Sequence, residues 1–360
     1  MCGVIAMNIL DNPSAKPIFL AEIGTFFNSD VERAKKLISL IAEARDKSPG
    51  IPVFLKGEVL HDPDVCLADT QVEERYVSDE GSEHRENYRK LIERKVVSLK
   101  DYAAIFDFAQ RLGFKLVLSV YDKAGLCFAV EQNAIAIKLA SSNLRHTYLH
   151  RIAGESGLPV IIDDGKAPLS AVAAAVERLQ SYGTREIIVE HSPDGHPAPP
   201  ATHNLRIIET YTKAFGLPVG LSDHHAGEEM LLAATALGYS LLEKGVVPDK
   251  SAPDQDISHA MLVSRLDDVL RQIHNIHLAL GASRRTDDMT GRLPSAHMGL
   301  VAAKDLSAGD ICTEHNIRFA FPLDKNGVGA EYWDLVEGWI LRNAVSTGTP
   351  IRWRDINLSS

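Results

Sequence analysis

The sequence predicts a (β/α)8 TIM barrel, an eight-stranded parallel α/β barrel, followed by a small C-terminal domain. Three observations carry that prediction. Eight short β-rich runs alternate with helical stretches, several of the runs are apolar throughout, and polar residues collect at the C-terminal end of each run. Strands covered by helices on both faces read as near-continuous apolar runs, and a barrel carries its chemistry at the C-terminal ends of its strands. With 360 residues the chain has room for one large core and a smaller second one.

The runs span 18–23, 52–56, 115–120, 134–139, 159–162, 186–190, 218–221 and 239–243. After the first, Ser29 with Glu32 forms a capping-box pattern that opens a helix with Val31, Ala34, Leu37, Ile38 and Ile41 on one face. Similar helical patterns occupy 99–112, 169–179, 204–215, 228–237 and 260–280. Eight β-then-α units in about 280 residues fit a closed barrel better than an open sheet. The doubly wound alternative usually brings a Gly-rich phosphate loop, and neither G-x-G-x-x-G nor G-x-x-x-x-G-K-[ST] occurs.

Residues 61–95 break the rhythm, being highly charged and weakly apolar. Placed after the second strand, they read as a loop on the active-site face, acting as a lid, or as a solvated excursion. The barrel domain is expected to span 1–281. Residues 282–293, with Arg284, Arg285, Asp287 and Asp288, read as a linker, and 294–360 as the small domain. Within it, Gly309…Ile317 and Gly348…Ile356 suggest an internal repeat.

Composition narrows the function classes. A net charge of −10 leaves no basic surplus for a nucleic-acid backbone, although a local lysine cluster can still bind a small anion. No apolar stretch reaches membrane-spanning length, and Met1 to Leu10 lack the basic start and cleavage site of a signal peptide. Cys2, Cys66, Cys127 and Cys312 are scattered without metal-type spacing, which suits a reduced cytoplasmic protein.

The strand ends hold the candidates. In order they are Glu22; Lys56; Tyr121 and Asp122; Lys138 and Ser141; Asp163 and Asp164; Glu190 and His191; Asp223, His224 and His225; and Glu243 with Lys244. Lys56 and Lys138 offer point charges to a phosphate or carboxylate, or form salt bridges to Glu22 or Glu58. A lysine there can also form a Schiff base. His224, beside Asp223, is the foremost metal-ligand candidate among 14 histidines. His191, His196 and His203 cluster loosely around Pro193, Pro197, Pro199 and Pro200, where a rigid proline-shaped loop is the plainer reading.

Several motifs occur together in one order. They are Ala21-Glu22-Ile23-Gly24 with Phe27-Asn28-Ser29-Asp30, Lys138-Leu139-Ala140-Ser141-Ser142, His191-Ser192 through His196-Pro197-Ala198-Pro199, Gly220-Leu221-Ser222-Asp223-His224, and Leu242-Glu243-Lys244. Beyond the barrel comes Leu300-Val301-Ala302-Ala303-Lys304-Asp305-Leu306 with Gly309-Asp310. Over nearly its whole length the chain thereby resembles the sialic acid synthase family, including the spore coat polysaccharide type, whose barrel carries a C-terminal antifreeze-like (SAF) domain.

The resemblance implies condensation of phosphoenolpyruvate with an aldehyde sugar such as N-acetylmannosamine, aided by a divalent metal, manganese or magnesium. It implies catalytic roles for Glu22, Lys56, Lys138 and Glu243, with Lys56, Lys138 and Ser141 holding phosphoenolpyruvate. Asp163, Asp194, His196, Ser222, Asp254 and His297 fall on the substrate side, and His224 on the metal. A homodimer with exchanged C-terminal domains is implied as well. The departures are specific. The second metal histidine falls on Gly245, the motif Glu after Lys138 becomes Asn143, and the phosphate-side turn becomes Asp163-Asp164-Gly165-Lys166. His196 stands for a tyrosine and His297 for an arginine. A lone histidine holds a metal weakly unless His191, His196 or Asp163 rebuilds the shell. Two acids beside an anion pocket repel the anion unless they bind metal or pair with Lys166. The alternatives are a non-catalytic homologue that binds a sugar or sugar acid, and a Schiff-base lyase acting through Lys138.

Overall fold

The computed structural model describes residues 16–77, 83–251, 254, 256–281 and 297–357. The N-terminal decapeptide and the 282–293 linker singled out above lie outside them. The chain divides into two compact units, Met1–Gly281 and Ala282–Ser360.

Eight parallel strands close the first unit into a barrel. They are β1 (Ile18–Glu22), β2 (Val53–Glu58), β3 (Leu116–Ser119), β4 (Ala136–Leu139), β5 (Val160–Asp163), β6 (Ile187–His191), β7 (Val219–Ser222) and β8 (Leu241–Val247). Each pairs with its sequence neighbour, and β8 pairs back onto β1. Every one coincides with a predicted run.

The period of two along each strand sorts the side chains. One set faces the helices, among them Phe19, Ala21, Leu55, Leu118, Ile137, Ile162, Val189 and Leu242. The other set fills the barrel with a separate apolar layer of Ile18, Leu20, Phe54, Val117, Ala136, Ile161, Ile188 and Leu241. Two residues beyond members of that layer come Glu22, Lys56, Ser119, Lys138, Asp163, Glu190 and Glu243. The same alternation that builds the core thus stacks a charged layer on it at the C-terminal mouth. Strand register keeps that layer level, with Glu22 opposite Lys56, Ser119 opposite Lys138, Asp163 opposite Glu190, and Ser222 opposite Glu243.

The outer ring comprises α1 (Val31–Lys47), α3 (Leu99–Arg111), α4 (Lys123–Glu131), α5 (Thr147–Ser156), α6 (Leu169–Ser181), α7 (Ile207–Phe215), α8 (Glu229–Leu237) and α9 (Leu266–Leu280), with α2 (Tyr88–Lys95) preceding α3. The α1 cap differs from expectation. Asp30, not Ser29, accepts the main-chain N–H groups of Glu32 and Arg33, while Ser29 Oγ donates to the carbonyls of Arg94 and Val96. A carboxylate at the N-cap suits the helix dipole and frees the serine to tie α1 to the end of α2.

Residues 61–95 are more ordered than a loop. Their described part holds an antiparallel hairpin of Glu73–Val77 with Glu83–Asn87, then α2. Few of these side chains are buried, so no apolar period marks them.

The second unit has its own core of Leu300, Leu306, Cys312, Ile317, Val328, Val336, Leu341 and Ile351. Its two halves repeat one local structure. Gly309 and Gly348 both take positive φ, and Thr313 N–H donates to Asn316 as Arg352 N–H does to Asp355. Leu306 and Val345 exchange main-chain hydrogen bonds across the join. No helix among the described residues is long and apolar enough to cross a membrane.

Candidate active site

Two buried lysines organise the charged layer. Lys138 Nζ lies 2.6 Å from Glu243 Oε1, 2.6 Å from Glu190 Oε2 and 3.5 Å from Asp163 Oδ2. Lys56 Nζ pairs closely with Glu22 and lies 3.5 Å from both Glu58 and the same Glu243 Oε1. Ser222 Oγ donates to Glu243 Oε1 at 3.0 Å and stands 3.4 Å from Lys138. The salt-bridge reading of the lysines therefore holds. Five carboxylates surround two ammonium groups, a surplus of acid at the barrel mouth.

Burial sets the electrostatics. It pushes the Glu22 carboxyl up to about 7 against the pull of Lys56. Burial and then Glu243 push Glu190 to about 8, against Lys138. Burial likewise raises Asp163, with Lys138 opposing. Glu243 is the exception, because burial works against its charge but Lys138 and Lys56 outweigh it and hold the carboxyl below its usual range. Both lysines lose stability as cations by burial and regain more from the carboxylates, so both stay protonated.

Neighbouring polar groups have structural partners. Asp164 accepts from His191 Nδ1 at 2.6 Å, from Tyr211 OH at 2.7 Å and from Ser192 N–H at 3.0 Å, while His191 Nε2 donates to the His203 carbonyl. His191 thus has both nitrogens engaged and no lone pair for a metal. Asp163 accepts from Ser192 Oγ and Gly165 N–H. Lys166 reaches neither acid and pairs instead with Asp194 at 2.5 Å on the surface. Lys244 is buried, donating to Asp223 at 2.8 Å and to the carbonyls of His225 and Gly227. Ser141 is exposed at the mouth just after β4. Asp254 pairs with Lys95 at 2.8 Å. His297 belongs to the second unit.

A histidine cluster adjoins this layer. His196 and His224 have ring centroids 4.5 Å apart, His224 and His259 4.8 Å, and His196 and His259 5.2 Å. His196 Nδ1 hydrogen-bonds Asp256 at 3.1 Å. Ligand atoms of His196, Asp256 and His259 all lie within 4.8 Å of one another. Burial, with His259 and His196 alongside, holds His224 well below the usual imidazole range, and burial holds His259 at about 4. Asp256 also lines a cavity of 720 Å³ with Glu58, Asp62, Asp122, Tyr121 and Lys95.

The cluster fits a divalent cation. His224 and His259 each keep a buried Nδ1 with no hydrogen-bond partner among the described residues, and the converging donors are two imidazoles and one carboxylate with the His224 ring beside them. His196 is thus placed where it could help rebuild the shell, whereas His191 and Asp163 are engaged elsewhere. At Gly245, an added Cβ would meet the Phe26 ring at 3.1 Å and Ala260 Cβ at 3.5 Å, so the space of a histidine there is already filled.

The NeuB family model matches residues 60–285, well over half the chain, and a SAF domain model matches 297–357. The chain belongs to the NeuB family. Its relatives include the N,N'-diacetyllegionaminic acid synthase of Legionella pneumophila, 23% identical over 94% of each chain. The mouse N-acetylneuraminate-9-phosphate synthase is 26% identical over 74% of this chain and 72% of its own. The sialic acid synthetase of Leptospira borgpetersenii superposes with a TM-score of 0.66 at 21% identity, over 77% of this chain and 90% of its own, and so shares the fold.

Within this NeuB-family barrel the structure brings Glu22, Lys56, Lys138, Asp163, Ser222 and Glu243 into one cluster, with His224 and His196 beside it. Asp194 lies apart on the surface. Asp256 and His259 were not anticipated. They sit in the segment after β8, where the only sequence signal is Asp254-x-Asp256-x-x-His259.

Proposed function

We propose that the chain is a divergent nonulosonic acid synthase acting in the cytoplasm. It would condense phosphoenolpyruvate with the open-chain aldehyde of an N-acetylmannosamine-like sugar, for surface polysaccharide. One observation carries the reading: two buried ammonium groups, Lys56 and Lys138, converge on a single oxygen of Glu243 at the barrel mouth. A small ligand bearing both a phosphate and a carboxylate presents two anionic groups to two such cations. Ser141, exposed at the mouth, offers it a hydroxyl donor.

The acid surplus sets a condition on that binding. Burial raises Glu190 to about 8 and Glu22 to about 7, so these two acids are largely neutral when the anion enters, which limits like-charge repulsion. In the reaction, C3 of phosphoenolpyruvate bonds to the aldehyde carbon, a water oxygen adds at C2, and phosphate leaves with the C2 oxygen to give the 2-keto acid. Glu22, whose carboxyl burial raises to about 7, would supply the proton that the aldehyde oxygen takes up. A divalent cation held by the histidine cluster would supply polarisation of that aldehyde. Because Lys138 stays protonated, it is a poor Schiff-base nucleophile, and the lyase reading loses ground.

The acceptor reading follows from the 720 Å³ cavity. Glu58, Asp62, Asp64, Asp122 and Asp256 line it, against Lys95, which Asp254 already engages, and His146. Such a wall accepts hydrogen bonds from sugar hydroxyls and repels a phosphate, so the acceptor is an unphosphorylated sugar. We place the synthase barrel at 1–281, the linker at 282–293 and the antifreeze-like domain at 294–360. In a homodimer, that domain of one copy would serve the barrel of the other, with His297 near the sugar.

A second reading, a sugar-acid-binding homologue without turnover, is favoured by Asp163 beside Lys138 and by Gly245. Phosphate release from phosphoenolpyruvate decides between them, measured with manganese and N-acylated hexosamines with and without a 6-phosphate. The synthase reading expects release that depends on an unphosphorylated acceptor and is lost in Lys138→Ala. Saturable sugar binding without release would select the second reading.

A further inference from the structure

We infer that His196, Asp256 and His259, with the His224 imidazole as a fourth donor, form a transition-metal site that discriminates against magnesium. The inference stands on geometry and donor chemistry, and it holds whether or not the chain turns over phosphoenolpyruvate.

The topology explains why the donors meet. After β8 the chain makes an excursion and returns as Met261–Leu262, which pairs in parallel with β8, Val246 opposite Met261 and Val247 opposite Leu262. That return brings Ala260 against Gly245, where the Phe26 ring packs as well. His259 therefore stands one strand over from β8, level with the mouth, and faces His224 at the end of β7. On the other flank, the loop after β6 delivers His196.

Hydrogen-bond accounting indicates lone pairs left over. Ser222 has a single hydroxyl proton and donates it to Glu243, 3.0 Å away. The 3.3 Å contact between Ser222 Oγ and His224 Nε2 is then a hydrogen bond donated by the imidazole. His224 Nδ1 is consequently the bare nitrogen, and among the described residues it has no partner. His259 is 3% exposed, and its Nδ1 is also unpartnered. Buried polar atoms are normally hydrogen-bonded, and two unpartnered ring nitrogens in one cluster of three imidazoles suit a cation better than a packed core.

Donor type then selects the ion. Neutral imidazoles suit zinc, iron, cobalt or nickel, whereas magnesium demands near-octahedral oxygen ligands and retains its waters. One carboxylate with three nitrogens is a poor magnesium site and a good borderline-metal site. The centre also touches the lysine cluster directly, since the chain His224–Ser222–Glu243–Lys138 is continuous through contacts of 3.3, 3.0 and 2.6 Å. Any ligand bridging the two would have one end on the metal and the other on the lysines.

The test uses the full chain, stripped with a chelator, and reads metal binding rather than activity. Cobalt(II) is titrated by equilibrium dialysis and by its visible d–d absorption, in competition with zinc and with magnesium. One cobalt per chain is expected, displaced by zinc and left in place by a large excess of magnesium. His259→Ala, Asp256→Asn and the more exposed His196→Ala should each weaken binding about tenfold or more, with His315→Ala unchanged. The His196 variant keeps the test decisive if the buried ones unfold. Displacement of cobalt by comparable magnesium, or stoichiometric binding that survives His196→Ala and His259→Ala, would overturn the assignment.

Discussion

Glu190 shows at residue scale what the charged layer requires. It is fully buried, faces Lys138, Glu243 and Asp163, and carries a carboxyl pushed by burial up to about 8 from an ordinary 4.5. Between those values the folded chain keeps a proton that the unfolded chain releases. Stability therefore falls as pH rises through the window, by at most about 1.4 kcal/mol per pH unit for this one group, and the effect is absent below 4.5. Glu22 adds to the same slope up to about 7, while His224 and His259, held neutral by burial, oppose it on the acid side. The difference between variants isolates Glu190. Glu190→Gln should lose less stability than the parent between pH 5 and 8, in urea unfolding at each pH. Parallel curves for the two proteins would mean that Glu190 titrates at its ordinary value in the fold.

That layer was largely legible in the sequence, because strand-end position alone selects Glu22, Lys56, Lys138, Asp163, Glu190 and Glu243. The period of two then turns them toward one centre. The histidine cluster was half legible. His224 follows β7 and His196 follows β6, so both lie at the mouth by topology. Asp256 and His259 lie in a segment with no period of two or 3.6, and their approach depends on the return strand 261–262, which two residues cannot announce.

At the scale of elements, Gly245 is a packing decision. Glu22 of β1 lies opposite it, and Phe26 from the turn after β1 fills the space above it. Putting a histidine at 245 drives an imidazole into the Phe26 ring and Ala260. Overpacking of this kind costs about 1–3 kcal/mol. Gly245→His alone should therefore lower stability by that amount in urea unfolding without tightening cobalt binding, and adding Phe26→Ala should recover part of the loss. If Gly245→His is neutral on its own, the segment after β8 is looser than the packing indicates. The same reasoning explains which elements could be read in advance. All eight strands announced themselves as short β-rich runs, several of them apolar throughout, and α1, α3 and α6 by a clear apolar face. In α4 the buried residues Gly125, Leu126, Phe128 and Ala129 are nearly consecutive, and α5 is capped by His146 instead of a serine or aspartate. α5 thus lacks a usual start signal, whereas α4 has one in Asp122, which accepts from Gly125 N–H, and lacks the apolar period behind it. Ser29 misled for the opposite reason, since a good cap, Asp30, stands next to it.

At the scale of the whole molecule, each unit holds its own hydrophobic core, one centred on the barrel and one on Leu300, Cys312, Val328 and Ile351. The proposed homodimer gives each catalytic centre one barrel and one antifreeze-like domain taken from different copies. Exchange of that kind is testable by complementation, because two defects on different copies can leave one intact centre. One parent carries Lys138→Ala, which disables the barrel. The other carries His297→Ala, or ends at Gly281. Neither should release phosphate from phosphoenolpyruvate alone at the full rate. If domains are exchanged, refolding the two together gives mixed dimers in which the intact barrel of one copy meets the intact domain of the other, and part of the activity returns. If each domain serves its own barrel, no intact combination exists in the mixture, and activity stays at the mean of the two parents. A monomeric mass for the full chain in sedimentation would exclude exchange directly.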